Sequence, residues 1–271
     1  MVSFTYVHDI DPYIFQFGDH FSLRWYGLAY LLGFFLAYLI LLWQKRAGRL
    51  DLSDSQITDL VLITAIFGII GARLGSVFFW HLDFLIKDFL YLFRIWQGGM
   101  SFQGGLLGAA VGILWFAWKN NISFWQLSDA GTLAVTPGLM FGRISCFING
   151  MLWGRPTGAG WGVIFPAADE LPRHPSQLYQ AAVEGPVLFG ILYYFWRRKP
   201  YEGILSAVFL LGYGGLRFLV TFYRAPDPYT GYLFANITRG QFISLLLFAA
   251  GFTILAQRLA VNAEMTAKEA I

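Results

Sequence analysis

The sequence predicts an all-α polytopic membrane protein with about seven transmembrane helices. Of its 271 residues, 57% are hydrophobic and 13% are charged, whereas soluble domains carry roughly 25% charged residues. Aromatic residues reach 19%, which suits a protein with aromatic belts at two membrane interfaces. Apolar stretches near the roughly 20 residues that cross a bilayer recur along the chain. They are 21–43, 57–80, 104–118, 127–148, 178–196, 203–222 and 241–257.

The distribution of basic residues predicts the orientation of these helices. Lys and Arg are denser in the short loops after the first, third, fifth and seventh stretches than in the longer loops between them. The positive-inside rule then places the N-terminus outside and the C-terminus in the cytoplasm. An odd number of spans agrees with this. The third stretch is short, so we expect residues 98–103 to complete this span as a re-entrant or unwound piece.

We expect one integral membrane domain over residues 1–271, since no linker separates two parts. Two external segments, 80–103 and 151–177, mix aromatic residues, glycines and a few charges. Residues 83–94 match an amphipathic helix lying in the interface, and they match equally well a connector packed on the helix bundle.

Glycines at three- or four-residue spacing predict helices that pack closely through small-residue faces. One such face holds Gly68, Gly71 and Gly75 with Ala72, a second runs through residues 104–112, and Gly138 with Gly142 forms a third.

Composition also excludes several classes of site. The single cysteine, Cys146, rules out an internal disulfide framework and a multi-cysteine metal site. No H-E-x-x-H motif occurs, so a zinc protease is not supported. No basic tract points to nucleic acid. The residues therefore exclude a multi-cysteine metal site and do not support an H-E-x-x-H zinc site or nucleic-acid binding.

Arginines inside or at the outer ends of apolar stretches are the first candidates for chemistry. Arg143 lies in the segment 142–155, directly after an apolar run and six residues before Asn149. A guanidinium at bilayer depth needs a partner or a polar cavity, and its planar fork suits phosphate. Arg73 and Arg217 also fall within spans, and Arg24 and Arg224 lie at external ends. For Arg73, ion pairing with Asp129 or Glu184 is an equal alternative.

Two further residues have a structural interpretation beside a functional one. His174 stands in Leu-Pro-Arg-His-Pro-Ser-Gln-Leu-Tyr, where the prolines predict an extended entry to a helix and Ser176 a helix cap. Cys146 has no histidine beside it, which favours a small apolar filler over a nucleophile.

Several long motifs, in order over nearly the whole chain, resemble the prolipoprotein diacylglyceryl transferase family. The opening Asp11-Pro-Tyr and Arg24-Trp-Tyr-Gly-Leu-Ala-Tyr are similar to that family's start. The remaining matches are Tyr91-Leu-Phe-Arg-Ile-Trp-Gln-Gly-Gly-Met-Ser-Phe, Gly142-Arg143, Phe147-Ile-Asn-Gly, Leu152-Trp-Gly-Arg155, Arg173-His-Pro-Ser-Gln-Leu-Tyr179, Phe222-Tyr-Arg-Ala-Pro-Asp227 and Ile237-Thr-Arg-Gly-Gln241.

The resemblance implies a bacterial inner-membrane enzyme with seven spans and an active site toward the outer leaflet. It would move a diacylglyceryl group from phosphatidylglycerol to the lipobox cysteine thiol in the signal peptide of a preprolipoprotein, releasing glycerol phosphate without a cofactor. Arg143 and Arg224 would clamp the phosphate, and Tyr26 would hydrogen-bond the headgroup. Asn149, Gly154, His174 and Arg239 lie in the matching motifs and complete the expected substrate-binding set.

The chain departs from the family pattern at polar positions. The family has a histidine, its favoured general base, where this chain has Gln103, and a glutamine cannot take a proton near neutral pH. It also has Asn at Cys146, Gly or Ala at Ser145, Glu at Met151 and an acid at Gln180. A relative that binds lipid or signal peptide without turnover is therefore the alternative function. A small-solute transporter would need inverted repeats, which the sequence lacks.

Overall fold

The computed structural model is mainly helical. It describes residues 6–17, 21–80, 82–94, 99–226, 231–234 and 236–269. Gly98 of the predicted unwound piece lies outside the described residues, as do residues 95–97, His20, His81 and Asp227. The α-helices are α1 (Trp25–Arg46), α2 (Asp54–Trp80), α3 (Leu82–Lys87), α4 (Phe102–Asn120), α5 (Phe124–Ile148), α6 (Ser176–Ala182), α7 (Leu188–Arg197), α8 (Ile204–Thr221) and α9 (Arg239–Glu269).

Each of the seven predicted stretches is largely helical. Five helices are long and apolar enough to cross a membrane by length and composition: Trp25–Arg46, Asp54–Phe78, Phe124–Ile148, Ile204–Thr221 and Arg239–Lys268. The other two stretches correspond to α4 and to residues 176–197. In the latter, a π-helical turn at Val183–Val187 separates α6 from α7. The structure is thus consistent with a polytopic membrane protein.

Short strands depart from the all-α prediction. β1 (Tyr6–Val7), β4 (Val163–Ile164) and β5 (Pro172–Arg173) form a three-stranded sheet. β2 (Tyr13–Phe17) pairs with β3 (Phe21–Arg24), so the first apolar stretch begins as a strand and becomes helical at Trp25. β6 (Tyr232–Phe234) pairs with β7 (Ile237–Thr238). Strands of two or three residues, as in the first sheet and the last pair, are too short for an alternating hydrophobic pattern to reveal them.

The chain forms two compact units, residues 38–131 and residues 1–37 with 132–271. In the first, α2 and α4 pack backbone to backbone, as the glycine faces predict. A Cβ added to Gly71 would lie 2.3 Å from the carbonyl oxygen of Gly104, and one at Gly104 would lie 2.2 Å from that of Gly71. Contacts this short need glycine on both helices, so the first two small-residue faces are confirmed.

Arg73 of α2 holds the connector before α4. Its guanidinium donates to the carbonyl oxygens of Tyr91 at 2.5 Å, Leu92 at 3.0 Å, Arg94 at 3.1 Å and Gly99 at 3.2 Å. This buried side chain, 3% exposed, therefore satisfies four backbone acceptors of the connector.

The connector itself is not the single amphipathic helix that residues 83–94 predict. It divides at Asp88 into α3 and a 3₁₀ turn, Phe89–Phe93, because the Asp88 carboxylate accepts from the backbone N–H of Leu90 at 2.9 Å and caps the second piece. The contacts with Arg73 support the interpretation of this segment as a packed connector.

In the other unit, α8 packs closely against α9. A Cβ on Gly214 would lie 2.7 Å from the carbonyl oxygen of Ser244. The predicted third glycine face is half right: Gly33 approaches Gly138, whereas a Cβ on Gly142 would meet no described atom within 4 Å. The open space beside Gly142 adjoins Arg143, the first residue of the candidate site.

Candidate active site

The segment 142–155 connects the end of α5 to a small β arrangement. Gly150, at φ +60°, takes the left-handed conformation after the helix. Its N–H donates to the Phe147 carbonyl at 2.9 Å, and that of Met151 donates to the Cys146 carbonyl at 3.0 Å. These two bonds form a Schellman cap, which ends the helix and reverses the chain. Arg143 is thereby held in the last turns of α5 while the residues after Met151 leave the helix.

Gly154 lies between two neighbouring backbones. Its N–H donates to the His174 carbonyl at 3.0 Å, and it forms an isolated β-bridge with Arg224 on its other side. A Cβ at this position would lie 2.3 Å from the His174 oxygen and 2.8 Å from the Tyr223 oxygen. Protein backbone thus approaches Gly154 closely, and its role is to bring residues 173–174 and 223–225 together.

A buried carboxylate joins Arg143 to a second arginine. Glu184, in the π-helical turn, is fully buried and accepts from Arg143 Nε at 2.9 Å. Its other oxygen lies 3.4 Å from Arg143 Nη2 and 3.6 Å from Arg217 Nη1 of α8. Arg217 Nη1 also donates to the Tyr213 hydroxyl at 2.6 Å. Glu184 thus binds one edge of the Arg143 guanidinium group. Three of the five N–H donors of Arg143 lie outside this ion pair.

The two arginines are better exposed than their counterion. The side chains of Arg143 and Arg217 are 13% and 12% exposed, against 0% for Glu184. The buried carboxylate orients both guanidinium groups through its ion pairs. One negative charge does not neutralise two positive charges, so the more exposed side of the cluster stays positive. Such an arrangement favours an anionic ligand.

The charge of Arg224 acts on the same buried thiol, that of Cys146, as the charges of Arg143, Arg217 and Glu184. The Cys146 side chain is buried, as the filler interpretation predicts. It therefore lies within the electrostatic reach of both arginines that the sequence analysis proposed as a phosphate clamp.

Tyr26, in the first turn of α1, also lies in this neighbourhood, since Arg143 and Cys146 both act on its hydroxyl. That hydroxyl is 3.0 Å from the hydroxyl of Tyr30. The structure thus brings together four positions of the segment and its expected partners: Tyr26, Arg143, Cys146 and Arg224.

The remaining candidates hold local contacts. Asn149 donates from Nδ2 to the Ser145 carbonyl at 2.7 Å, at the end of α5. His174 Nδ1 lies 3.2 Å from the Tyr179 hydroxyl, and its ring packs edge-on against Tyr179 and Tyr223. The prediction of Ser176 as a helix cap is wrong: its hydroxyl donates to the Leu152 carbonyl at 3.1 Å, because the chain at 152 passes beside the start of α6.

Arg239 and Gln103 each lie in the first turn of a helix. Arg239 is the first residue of α9, which opens with a capping box between Thr238 and Gln241. Gln103 lies in the first turn of α4, in the other unit, and its Oε1 accepts from the Ser101 hydroxyl at 3.1 Å. That hydroxyl in turn accepts from the Gly104 N–H at 3.2 Å.

Sequence reasoning missed the central role of Glu184 and Arg217. Both are charged residues within apolar stretches, and the expected partner of Glu184 was Arg73. The structure pairs Glu184 with Arg143 and Arg217. Among the described residues, no group of three or more His, Cys, Asp or Glu side chains could hold a metal ion.

Comparison with known proteins decides the family. The family model for prolipoprotein diacylglyceryl transferase matches residues 12–257. The chain belongs to this family. Its site residues all fall within the matched range, from Tyr26 to Arg239. The family's curated members are thus the proper comparison for the cluster around Glu184.

Three relatives named phosphatidylglycerol–prolipoprotein diacylglyceryl transferase illustrate the similarity within the family. The protein of Aeromonas hydrophila is 46% identical over 242 residues, covering 89% of this chain and 88% of the relative. That of Geobacter sulfurreducens is 44% identical over 247 residues, covering 90% and 94%. That of Actinobacillus pleuropneumoniae is 43% identical over 254 residues, covering 93% and 96%. The similarity thus extends over nearly the full length of each transferase.

Proposed function

We propose that this chain transfers a diacylglyceryl group from phosphatidylglycerol to the lipobox cysteine thiol of a preprolipoprotein. Membership of the family, together with near full-length relatives carrying that activity in their names, supports the reaction. The cluster of Arg143, Arg217 and Arg224 near Cys146 supports a phosphate-bearing substrate.

The charges of the cluster suit the charge change of the reaction. The substrate sulfur forms a bond to the glyceryl carbon, and the bond from that carbon to the phosphate oxygen breaks. The phosphodiester, with one negative charge, leaves as glycerol phosphate with up to two. Three arginines against Glu184 leave a formal surplus of two positive charges. Preorganised positive groups of this kind stabilise the charge that develops on a leaving group.

The thiol proton needs an acceptor other than the side chain at position 103. An amide does not accept a proton near neutral pH, so Gln103 serves in our proposal as a hydrogen-bonding residue. His174 is one candidate acceptor, because its ring packs against Tyr223, the residue before Arg224. A phosphate oxygen of the lipid is the other. In either case the proton leaves finally with the glycerol phosphate.

In our proposal the substrate enters from the membrane. We propose seven spans, with α4 and residues 176–197 added to the five long apolar helices, an external N-terminus and a cytoplasmic C-terminus. The enzyme would lie in the bacterial inner membrane as one domain, with the cluster facing the outer leaflet. Segments 80–103 and 151–177 would then be external, and Arg143 and Arg224 would hold the headgroup with Asn149, Gly154, His174, Arg239 and Tyr26 around it.

Mass spectrometry of a lipobox peptide tests the reaction. The purified chain, incubated with peptide and phosphatidylglycerol, should add one diacylglyceryl group to the cysteine. Arg143→Ala should lower the rate by about 100-fold or more, and Arg143→Lys should restore little of it because an ammonium group lacks the planar fork. Arg46→Ala, an exposed change at the end of α1, is the matched control. Gln103→His should raise the rate.

No mass gain beside an active relative would overturn the transferase proposal. Saturable phosphatidylglycerol binding that Arg143→Ala abolishes, without any turnover, would leave a lipid-binding protein instead. An unchanged rate in Arg143→Ala would exclude Arg143 from the phosphate site.

A further inference from the structure

Three buried polar atoms lie along one face of residues 177–184. Gln177 and Gln180 are both fully buried, as is Glu184. Gln177 Oε1 and both amide atoms of Gln180, Nε2 and Oε1, have no hydrogen-bond partner among the described residues. Their sequence spacing of three and four residues places these side chains along one helical face. A buried amide without partners is costly, so the fold keeps these groups for a polar ligand or for water.

This face runs from the turn that follows α5 to the ion pairs of Glu184. Gln177 Nε2 donates to the Met151 carbonyl at 2.6 Å, which anchors one end of the face beside the turn that follows α5. Glu184, at the other end, binds Arg143 and Arg217. Gln180 lies between these two anchors, one helical turn from Glu184.

The chemistry of the three atoms selects the ligand. Two of them are amide oxygens, which only accept hydrogen bonds, and one is an amide nitrogen, which only donates. Phosphate oxygens only accept, so the two amide oxygens do not suit a phosphate. An ammonium group only donates, so it would leave Gln180 Nε2 unsatisfied. A hydroxyl group both donates and accepts, and two neighbouring hydroxyls satisfy all three atoms.

We propose that Gln177 and Gln180 form a hydroxyl-binding subsite for the terminal glycerol of the donor lipid. The subsite rests on the proposed function, since it places the glycerol hydroxyls beside the phosphate that the arginines hold. The two glutamines then determine which headgroup the enzyme accepts, and the arginines bind the phosphate that all such lipids share.

The test compares two lipids that differ only in these hydroxyls. Phosphatidylglycerol and phosphatidylpropanol, which lacks both headgroup hydroxyls, are measured for binding to the full chain in nanodiscs and for transfer to the lipobox peptide. We expect phosphatidylglycerol to bind about tenfold or more tightly. Gln180→Met, which keeps the side chain's length and removes its polar atoms, should reduce this preference to about twofold or less without weakening phosphatidylpropanol binding. Gln257→Met, an exposed change on α9, should leave the preference intact.

Binding and turnover separate the two proposals. If the wild-type chain prefers phosphatidylglycerol through Gln180 and yet transfers nothing, the subsite stands and the proposed reaction fails. If Gln180→Met keeps the wild-type preference, or if wild type binds both lipids equally, the subsite is wrong and the glutamines bind only water. If soluble glycerol 1-phosphate competes for the subsite and phosphatidylglycerol does not, the assignment of the subsite to a lipid headgroup is also overturned.

The thermal stability of the variant gives a second readout. Replacing a buried amide that has no partner by an apolar side chain should leave the Tm unchanged or raise it. A large fall in Tm for Gln180→Met would show that the amide supports the fold through protein contacts, which contradicts the subsite.

Discussion

Removing the carboxylate of Glu184 should destabilise this protein more than any other single loss of charge in the cluster. The carboxylate is fully buried, 2.9 Å from Arg143 Nε and 3.6 Å from Arg217 Nη1. At an effective dielectric constant of about 20, unit charges at these separations attract by about 6 and about 5 kcal/mol. Desolvation of a buried carboxylate offsets several kcal/mol of this attraction. Loss of one partner of a buried ion pair then costs about 3 to 5 kcal/mol.

Glu184→Gln is the perturbation that isolates charge from shape. It keeps the side chain's size and one accepting oxygen, but it leaves two guanidinium groups without the carboxylate between them. Thermal unfolding in detergent, followed by tryptophan fluorescence, should show a Tm lowered by about 6 °C or more. Glu264→Gln, an exposed change near the end of α9, is the matched control and should leave the Tm unchanged.

A double-mutant cycle tests the cause of this loss. Because Glu184→Gln leaves excess positive charge, adding Arg217→Met should recover part of the lost stability, and the two changes should be non-additive by about 1 kcal/mol or more. A Glu184→Gln variant as stable as the wild type would refute the argument that the carboxylate holds the two arginines. Additive effects in the double variant would show that Arg217 is coupled to something other than Glu184.

Two further predictions concern packing and pH. Gly71→Ala should destabilise the α2–α4 pair by about 1 to 3 kcal/mol, because its Cβ would lie 2.3 Å from the Gly104 carbonyl oxygen. The control is Gly142→Ala, whose Cβ meets no described atom within 4 Å. Equal Tm values for the two variants would contradict the close packing of α2 against α4. Hydrogen bonds from Arg173 hold the pKa of Asp169 below its usual value near about 4. This contact therefore stabilises the fold above that value and ceases to do so as pH falls through the lowered pKa. Asp169→Asn should reduce the fall of the Tm at acidic pH. An unchanged dependence of the Tm on pH would show that this contact does not stabilise the fold.

The sequence determined most of the helical architecture. Runs of apolar residues near the length of a bilayer specify helices wherever they occur, because backbone groups in lipid must be paired within their own segment. Residues 57–80 and 127–148 accordingly became α2 and α5. Glycine spacing also predicted close helix packing at these faces, since small side chains at one helical face leave room for a partner backbone, but only the structure paired α2 with α4. Arg143 was identifiable because a charge beside an apolar run demands a partner.

The identity of each partner depended on tertiary structure. Glu184 and Arg143 are 41 residues apart, and nothing in either local pattern indicates which arginine a buried carboxylate binds. The same holds for Gly154, whose motif was visible but whose neighbours, His174 and Tyr223, arrive from distant segments. Contacts of this kind follow from how helix ends and short strands meet, and strands of two residues carry no periodic signal. Composition and periodicity therefore decided where the helices lie, and long-range packing alone decided which charges face one another and which buried amides lack a partner among the described residues.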